Sequence, residues 1–253
     1  MNRFSRFAAS ALALSLVPAM LMGCGKKETA ASSDLDYIKQ KGTLVVGITD
    51  FAPMDYQDAD GSWIGFDADL AKAFAESLGV EVQFQTIEWD NKVMELDGKT
   101  IDVVWDGMTL TDEVTSSMAC SNAYCNNTQV VILPADKAAD YDTVDSLSGL
   151  RFAVESGSAG MAQAEEKGLT YTDVVDQATA LLEVKSGTAD AAIIDSLMAG
   201  AMVGEGTNYA DLAIGPVLNA ETGEQYGVGF RKGSDLVDAF NEFWKQAVAD
   251  GTV

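Results

Sequence analysis

Residues 65–86, GFDADLAKAFAESLGVEVQFQT, change their hydrophobic period half-way along. Leu70, Phe74 and Leu78 recur every four residues, the spacing of one helical face, and Asp67 can cap the start of that helix. Gly79 ends it, because glycine takes the left-handed backbone conformation that helix ends favour. From Val80 to Thr86 the period drops to two, with Val82, Phe84 and Thr86 alternating with polar neighbours, which predicts a strand. The compact apolar run Leu44–Ile48 precedes both. Strand, helix and strand in that order make an α/β fold the expectation.

Working outward, the alternation continues. Pro53 to Trp63 carries Asp60-Gly61, a hairpin turn signal, and a short helix near Lys92–Leu96 leads to a strand over Ile101–Trp105. A strand over Leu150–Val154 runs into Ser156-Gly-Ser-Ala-Gly160, which opens a helix reaching about Lys167. Helix Ala178–Lys185, strand Ala191–Ile194, a helix after Asp195 and a strand over Tyr226–Phe230 follow. Ser234 then caps a last helix with Leu236, Val237, Phe240, Trp244 and Val248 on one face. No repeat or proline-rich linker divides the chain, so any division into two domains is made by chain crossover.

The first 23 residues read differently. Arg3 and Arg6 precede a run from Phe7 to Met22 without a charge, too short for a comfortable membrane span, and Leu21-Met-Gly-Cys24 closes it. The pattern resembles the leader of bacterial lipoproteins. It implies cleavage after Gly23, acyl chains such as palmitate on Cys24, and a flexible polar tether over 24–34. Removing the leader leaves 230 residues, enough for one large domain or two modest ones. It also takes the net charge from −23 to −25, since Arg3 and Arg6 are its only charged groups. That charge argues against nucleic acid and anionic lipid surfaces as partners.

Much chemistry is excluded. The chain has no histidine, which removes Ser-His-Asp and Cys-His catalysis and the common zinc sites. It has no phosphate-binding glycine loop and no Cys-x-x-Cys. Asp58-Ala-Asp60-Gly61 has the look of a calcium loop, but Tyr56 occupies the first ligand position and a plain hairpin is expected. Cys120 and Cys125 leave two readings open, a disulfide across a turn or two partly buried thiols.

Seven segments in order resemble the family 3 extracellular solute-binding proteins, the polar amino-acid receptors of ABC importers. They are LVVGITDFAP (44–53), GFDADLA (65–71), EWD (88–90), IDVVWDGMTLTDE (101–113), GLRFAVESGS (149–158), GTADAAIID (187–195) and QYGVGFRKGSD (225–235). The resemblance implies a periplasmic-binding-protein-like, type II fold: two α/β lobes joined by two crossover strands and closing on a ligand by a hinge. Lobe 1 then covers 35–126 plus 226–253, and lobe 2 covers 127–225. The family usually runs on for another helix beyond Ala249–Val253. A monomeric receptor without cofactor or metal is implied, lipid-anchored outside the cytoplasm and handing a small molecule to an ABC permease with its ATPase.

By position, the resemblance places Asp50 (or Thr49) and Phe51 in the first ligand loop and Trp89 as the aromatic stacked on the ligand. Gly107 and Thr109 fall at the ligand's main-chain end, Ser158 at a helix N-terminus, and Asp195 where a carboxylate holds an ammonium. One departure matters. The family's Gly-Met-Thr-x-Thr-x-Glu-Arg pattern ends here in Val114, so the arginine that forks onto the ligand carboxylate is missing. Asp106 and Glu155 add carboxylates instead. The expected ligand is therefore amine-bearing or cationic, with its carboxylate absent or weakly held. The competing reading is an ordinary amino acid whose carboxylate is held by Thr109, Ser158 and backbone N–H groups. The fold also hosts dehydratases and sensor domains, and an Asp106–Glu155 acid pair is the feature an enzyme reading would need.

Overall fold

The computed structural model describes residues 33–253. The leader, Cys24 and all of the tether but Ser33 and Asp34 lie outside the described residues. The first half opens with helix α1 (Asp34–Lys41), whose N-terminus Ser33 caps by accepting from Asp36 N–H, and strand β1 (Thr43–Ile48). A hairpin of β2 (Tyr56–Gln57) and β3 (Trp63–Ile64) follows; Asp58 Oδ1 accepts from Asp60 N–H at 2.9 Å, so these acids shape the turn. Next come α2 (Phe66–Leu78), β4 (Glu81–Thr86), a single 3-10 turn at Trp89–Asn91, α3 (Lys92–Asp97), β5 (Val103–Val104), α4 (Asp112–Ser117) and β6 (Ala119–Cys120).

Strand β7 (Cys125–Asn127) carries the chain into the second half. This half contains β8 (Gln129–Pro134), β9 (Arg151–Glu155), α5 (Ala159–Glu166), β10 (Thr170–Val174), α6 (Gln177–Ser186), β11 (Ala191–Asp195), α7 (Ser196–Met202) and β12 (Leu212–Val217). Strand β13 (Glu224–Tyr226) brings the chain back, antiparallel to β7, and β14 (Gly229–Phe230) and α8 (Leu236–Asp250) complete the first half. The two five-stranded sheets have the orders β4-β1-β5-β14-β6 and β10-β9-β11-β8-β12. Each mixes parallel pairs with antiparallel ones contributed by the strands nearest the crossing. Among the described residues no helix is long and apolar enough to cross a membrane.

The expected helical face is real. Leu70 and Phe74 are buried, and Phe74 packs edge-on to Phe240 of α8 with ring centroids 5.5 Å apart, while Trp105 lies 4.9 Å from Phe240. Each such side chain contributes about 1.5–3 kcal/mol by leaving water. On α8 the pattern is only partly kept: Leu236, Phe240 and Ala247 are buried, whereas Val248 is exposed. Ser234 Oγ still accepts from Leu236 N–H at 3.3 Å, although Asp235 holds the cap position. A buried ion cluster fastens both ends of the half together. Arg231 reaches Asp34 at 3.0 Å and Asp102 at 3.5 Å, and it donates to the carbonyls of Leu96 and Ile101.

Two expectations change. The single strand over Tyr226–Phe230 is broken at Gly227-Val228, because its first part pairs with β7 and its last part enters the first sheet opposite β5 and β6. Asp67 does not cap α2. Gly65, at φ 122, holds that position, where a Cβ would lie 2.3 Å from the Met54 carbonyl oxygen. Asp67 instead points inward, accepting from Gly107 N–H at 2.7 Å and from the Tyr124 hydroxyl at 2.6 Å. As for the thiols, Cys120 and Cys125 are free. Cys120 pairs with Gly229 in the first sheet and Cys125 with Tyr226 in the crossing pair.

Candidate functional site

Between the halves, at the C-terminal ends of β1, β5, β9 and β11, lies a cavity of about 270 Å³. Strand ends converge there because parallel strands bring their loops and the following helix N-termini to one edge. Phe51, Trp89, Asp106, Gly107 and Thr109 line it from the first half, and Glu155, Ser158 and Asp195 from the second. Eight of the nine residues expected at the ligand are thus gathered around one cavity. Asp50 is not among them: it is exposed, and Thr49 takes its place on the cavity wall. Successive side chains of an extended segment point to opposite sides, so only one of the two could face inward.

The acids sit in distinct surroundings. Thr49 holds Asp106 Oδ2 through its N–H at 2.9 Å and its hydroxyl at 2.6 Å, while Oδ1 has no partner in the protein. Burial pushes the Asp106 carboxyl up to about 8, and the Thr49 bonds oppose the shift. Beneath it, Asp55 is wholly buried with both oxygens unpartnered, and burial followed by the Asp106 and Asp67 charges raises it well above the carboxylate range. On the opposite wall, Asp195 Oδ1 accepts from Gln129 at 2.9 Å, from the Tyr226 hydroxyl at 2.9 Å and from Asn127 Nδ2. Gln177 clasps it from both sides, accepting the Asp195 N–H at 2.9 Å and donating to Oδ2. Burial still raises Asp195 to about 6. Glu155 is buried with Oε1 unpartnered, and burial, then Asp106 and Asp195, hold it well above the usual range.

The other expected residues have more qualified positions. Gly107 (φ 55) approaches Phe51 so closely that a Cβ would meet its ring at 2.3 Å, and its N–H is engaged by Asp67 rather than by the cavity. Thr109 Oγ1 lies 3.4 Å from Glu224 Oε2. Ser158 caps α5, its Oγ accepting from Met161 N–H at 3.1 Å, which leaves its own proton to donate. Val114 lines the cavity with no group to offer an ion.

Lys92 is the residue that sequence reasoning missed. It lines the cavity and its ammonium lies 4.8 Å from the Trp89 ring centroid, donating to the carbonyls of Trp89 at 3.2 Å and of Gly157, across the cavity, at 3.0 Å. Its spacing of three from Trp89 was the available signal, since a turn of 3-10 or α-helix brings i and i+3 to one side. Burial lowers its pKa against the pull of Glu155.

Residues 44–253 match a model of the bacterial extracellular solute-binding proteins, family 3. The chain belongs to that family. It is 28% identical to the L-cystine-binding protein TcyJ of Escherichia coli over 239 residues, 93% of this chain and 88% of the relative. An arginine-bound form of ArgBP from T. maritima superposes with a TM-score of 0.77 at 35% identity, covering 83% of this chain and 99% of that one. A cyclohexadienyl dehydratase of Pseudomonas aeruginosa is 26% identical over 175 residues, 67% of this chain and 65% of the enzyme. The two-lobed, type II fold expected from the motifs is that of the superposed receptor, and the chain is a solute-binding protein rather than an enzyme.

Proposed function

We propose that this protein captures a small amine-bearing or cationic amino acid between its lobes and delivers it to an ABC permease with its ATPase. The observation that carries the reading is the charge of the wall. Asp90, Asp106, Asp112, Glu113, Glu155 and Asp195 line the cavity against one cation, Lys92. Burial raises the carboxyls of Asp106, Glu155 and Asp195. A ligand ammonium beside them favours their ionised forms, and each pair then gains from the low local dielectric. Trp89 adds an aromatic wall suited to an alkyl chain or a cation. Strands β7 and β13 are the two crossings about which closure would turn. Cys24, following the leader-like Leu21-Met22-Gly23, would hold the receptor at the membrane surface and raise its concentration beside the permease.

A thermal-shift screen of the amino acids, with L-ornithine and L-cystine, tests this. A ligand present at a hundred times its Kd adds about 2.7 kcal/mol. In a domain of this size that raises Tm by roughly 5–10 °C. Shifts for basic or amine-bearing amino acids support the proposal, and stabilisation by glutamate or aspartate alone refutes it.

A further inference from the structure

We infer that the Lys92 ammonium is the seat of the ligand's carboxylate, so that the site selects an amino acid over the same molecule with its carboxylate neutralised. The inference rests on the amino-acid reading above. Any amino acid brings an anionic end into a cavity whose other charged lining groups are all acidic, and Lys92 is the one cation among its described lining residues. Lys92 is 7% exposed, so its charge acts where water screens little.

Its placement is built. An ammonium has three N–H donors, and two of them are fixed on the carbonyls of Trp89 and Gly157. The third has no protein acceptor among the described hydrogen bonds. The ammonium itself lies over the Trp89 ring, 4.8 Å from its centroid. Both carbonyls are neutral, so neither cancels the charge. Glu155, Glu113 and Asp90 pull on the ammonium from the same lining; Glu155 has an unpartnered oxygen, and burial raises its carboxyl well above the usual range. Ser158 and Ala159, at the start of α5, line the same cavity next to Gly157, so the positive end of that helix reinforces the Lys92 field. Asp106 and Asp195, which border Glu155, are left to face a ligand ammonium.

Calorimetry with the best-binding amino acid of the screen, set against its own α-carboxamide, reads the inference without any substitution. The wild-type protein should prefer the acid by about tenfold or more. Lys92→Met keeps the length and apolar packing of the stem while removing the charge. It should weaken the acid about ten- to a hundredfold more than the carboxamide, whose own loss reflects only the missing bond to the Gly157 carbonyl, so that the preference collapses. Lys92→Arg should restore part of it. Equal weakening of acid and carboxamide would mean that Lys92 only ties the lobes together, and an unchanged acid affinity would mean that it does nothing for the ligand; either result overturns the inference. Wild-type protein that binds amino acids without preferring them to their carboxamides overturns it too, even if the variants fail to fold. Binding of no amino acid at all would instead sink the proposed function, and this inference with it.

Discussion

Gly157, in the second half, packs tightly against Asp90 of the first. At φ 69, a Cβ built there would stand 2.8 Å from Asp90 Cα and 2.7 Å from Asp90 Oδ1, on the far side of the cavity. Gly168 in the same lobe has nearly the same backbone, φ 64, with nothing within 4 Å of its Cβ position. The pair separates two effects. Alanine at either site carries the left-handed strain, about 1 kcal/mol of stability. Only Gly157→Ala also forces the lobes apart. Reaching an ordinary contact distance from a main-chain atom takes a retreat of roughly 0.6 Å. The Lys92 Nζ to Gly157 carbonyl bond, now 3.0 Å, would then stretch to about 3.6 Å, beyond hydrogen-bonding range. A bond from a charged donor contributes about 1.5–3 kcal/mol. Ligand affinity should therefore fall about 10- to 150-fold in Gly157→Ala. Urea denaturation of the unliganded proteins should show similar losses for both variants, while calorimetry should find the affinity loss in Gly157→Ala alone. Equal ligand affinity in the two variants would refute the claim that this contact belongs to the ligand-holding state.

Acidity should act oppositely on the empty and the filled protein. Asp106 and Asp195 have folded-state pKa values raised to about 8 and about 6, so the stability they contribute is complete below the unfolded carboxylate pKa. It drains away as pH rises through those values. Unliganded protein should thus become easier to unfold in urea between pH 5 and 8.5, and Asp106→Asn should flatten that slope; a flat wild-type profile contradicts the assignment. A cationic ligand needs the ionised carboxyls, so its affinity should climb over the same interval with release of protons, measurable by calorimetry in buffers of different ionisation enthalpy. Arg231→Met leaves Asp34 and Asp102 buried without their guanidinium and should cost about 3–5 kcal/mol in urea denaturation. Its ligand Kd, measured well below the new midpoint, should stay unchanged, since none of these groups lines the cavity.

What the sequence disclosed follows from the range of the interactions involved. Helix α2 was legible because its core face, Leu70 and Phe74, and its stop at Gly79, in the left-handed conformation, are fixed within one short stretch. The Ser158 cap of α5 is equally local. Asp67 misled because a capping aspartate and an inward one look alike over a few residues. Its partners Gly107 and Tyr124 lie 40 and 57 residues further on. The break at Gly227-Val228 is likewise set by which sheet each part meets. Strand β8, fully buried from Gln129 to Leu133, carries no alternation to announce it. In the site, matched motifs located the wall, yet they could not choose between Thr49 and Asp50. Nor could they reveal Lys92, whose importance lies in a carbonyl 65 residues away.

The fastening of α1 has a mechanical meaning. Ser33 Oγ donates to Asp235 Oδ2 at 2.5 Å, Leu35 N–H donates to Oδ1 at 3.0 Å, and Asp34 meets Arg231. A pull on the chain at residue 33 is therefore shared by several polar links stressed together, and it passes straight into the start of α8 and the first sheet. Residue 33 is thereby held rigidly to the half carrying β1. The half carrying β9 and β11 is joined to it through β7 and β13, so any movement of that half relative to residue 33 must pass through the two crossings.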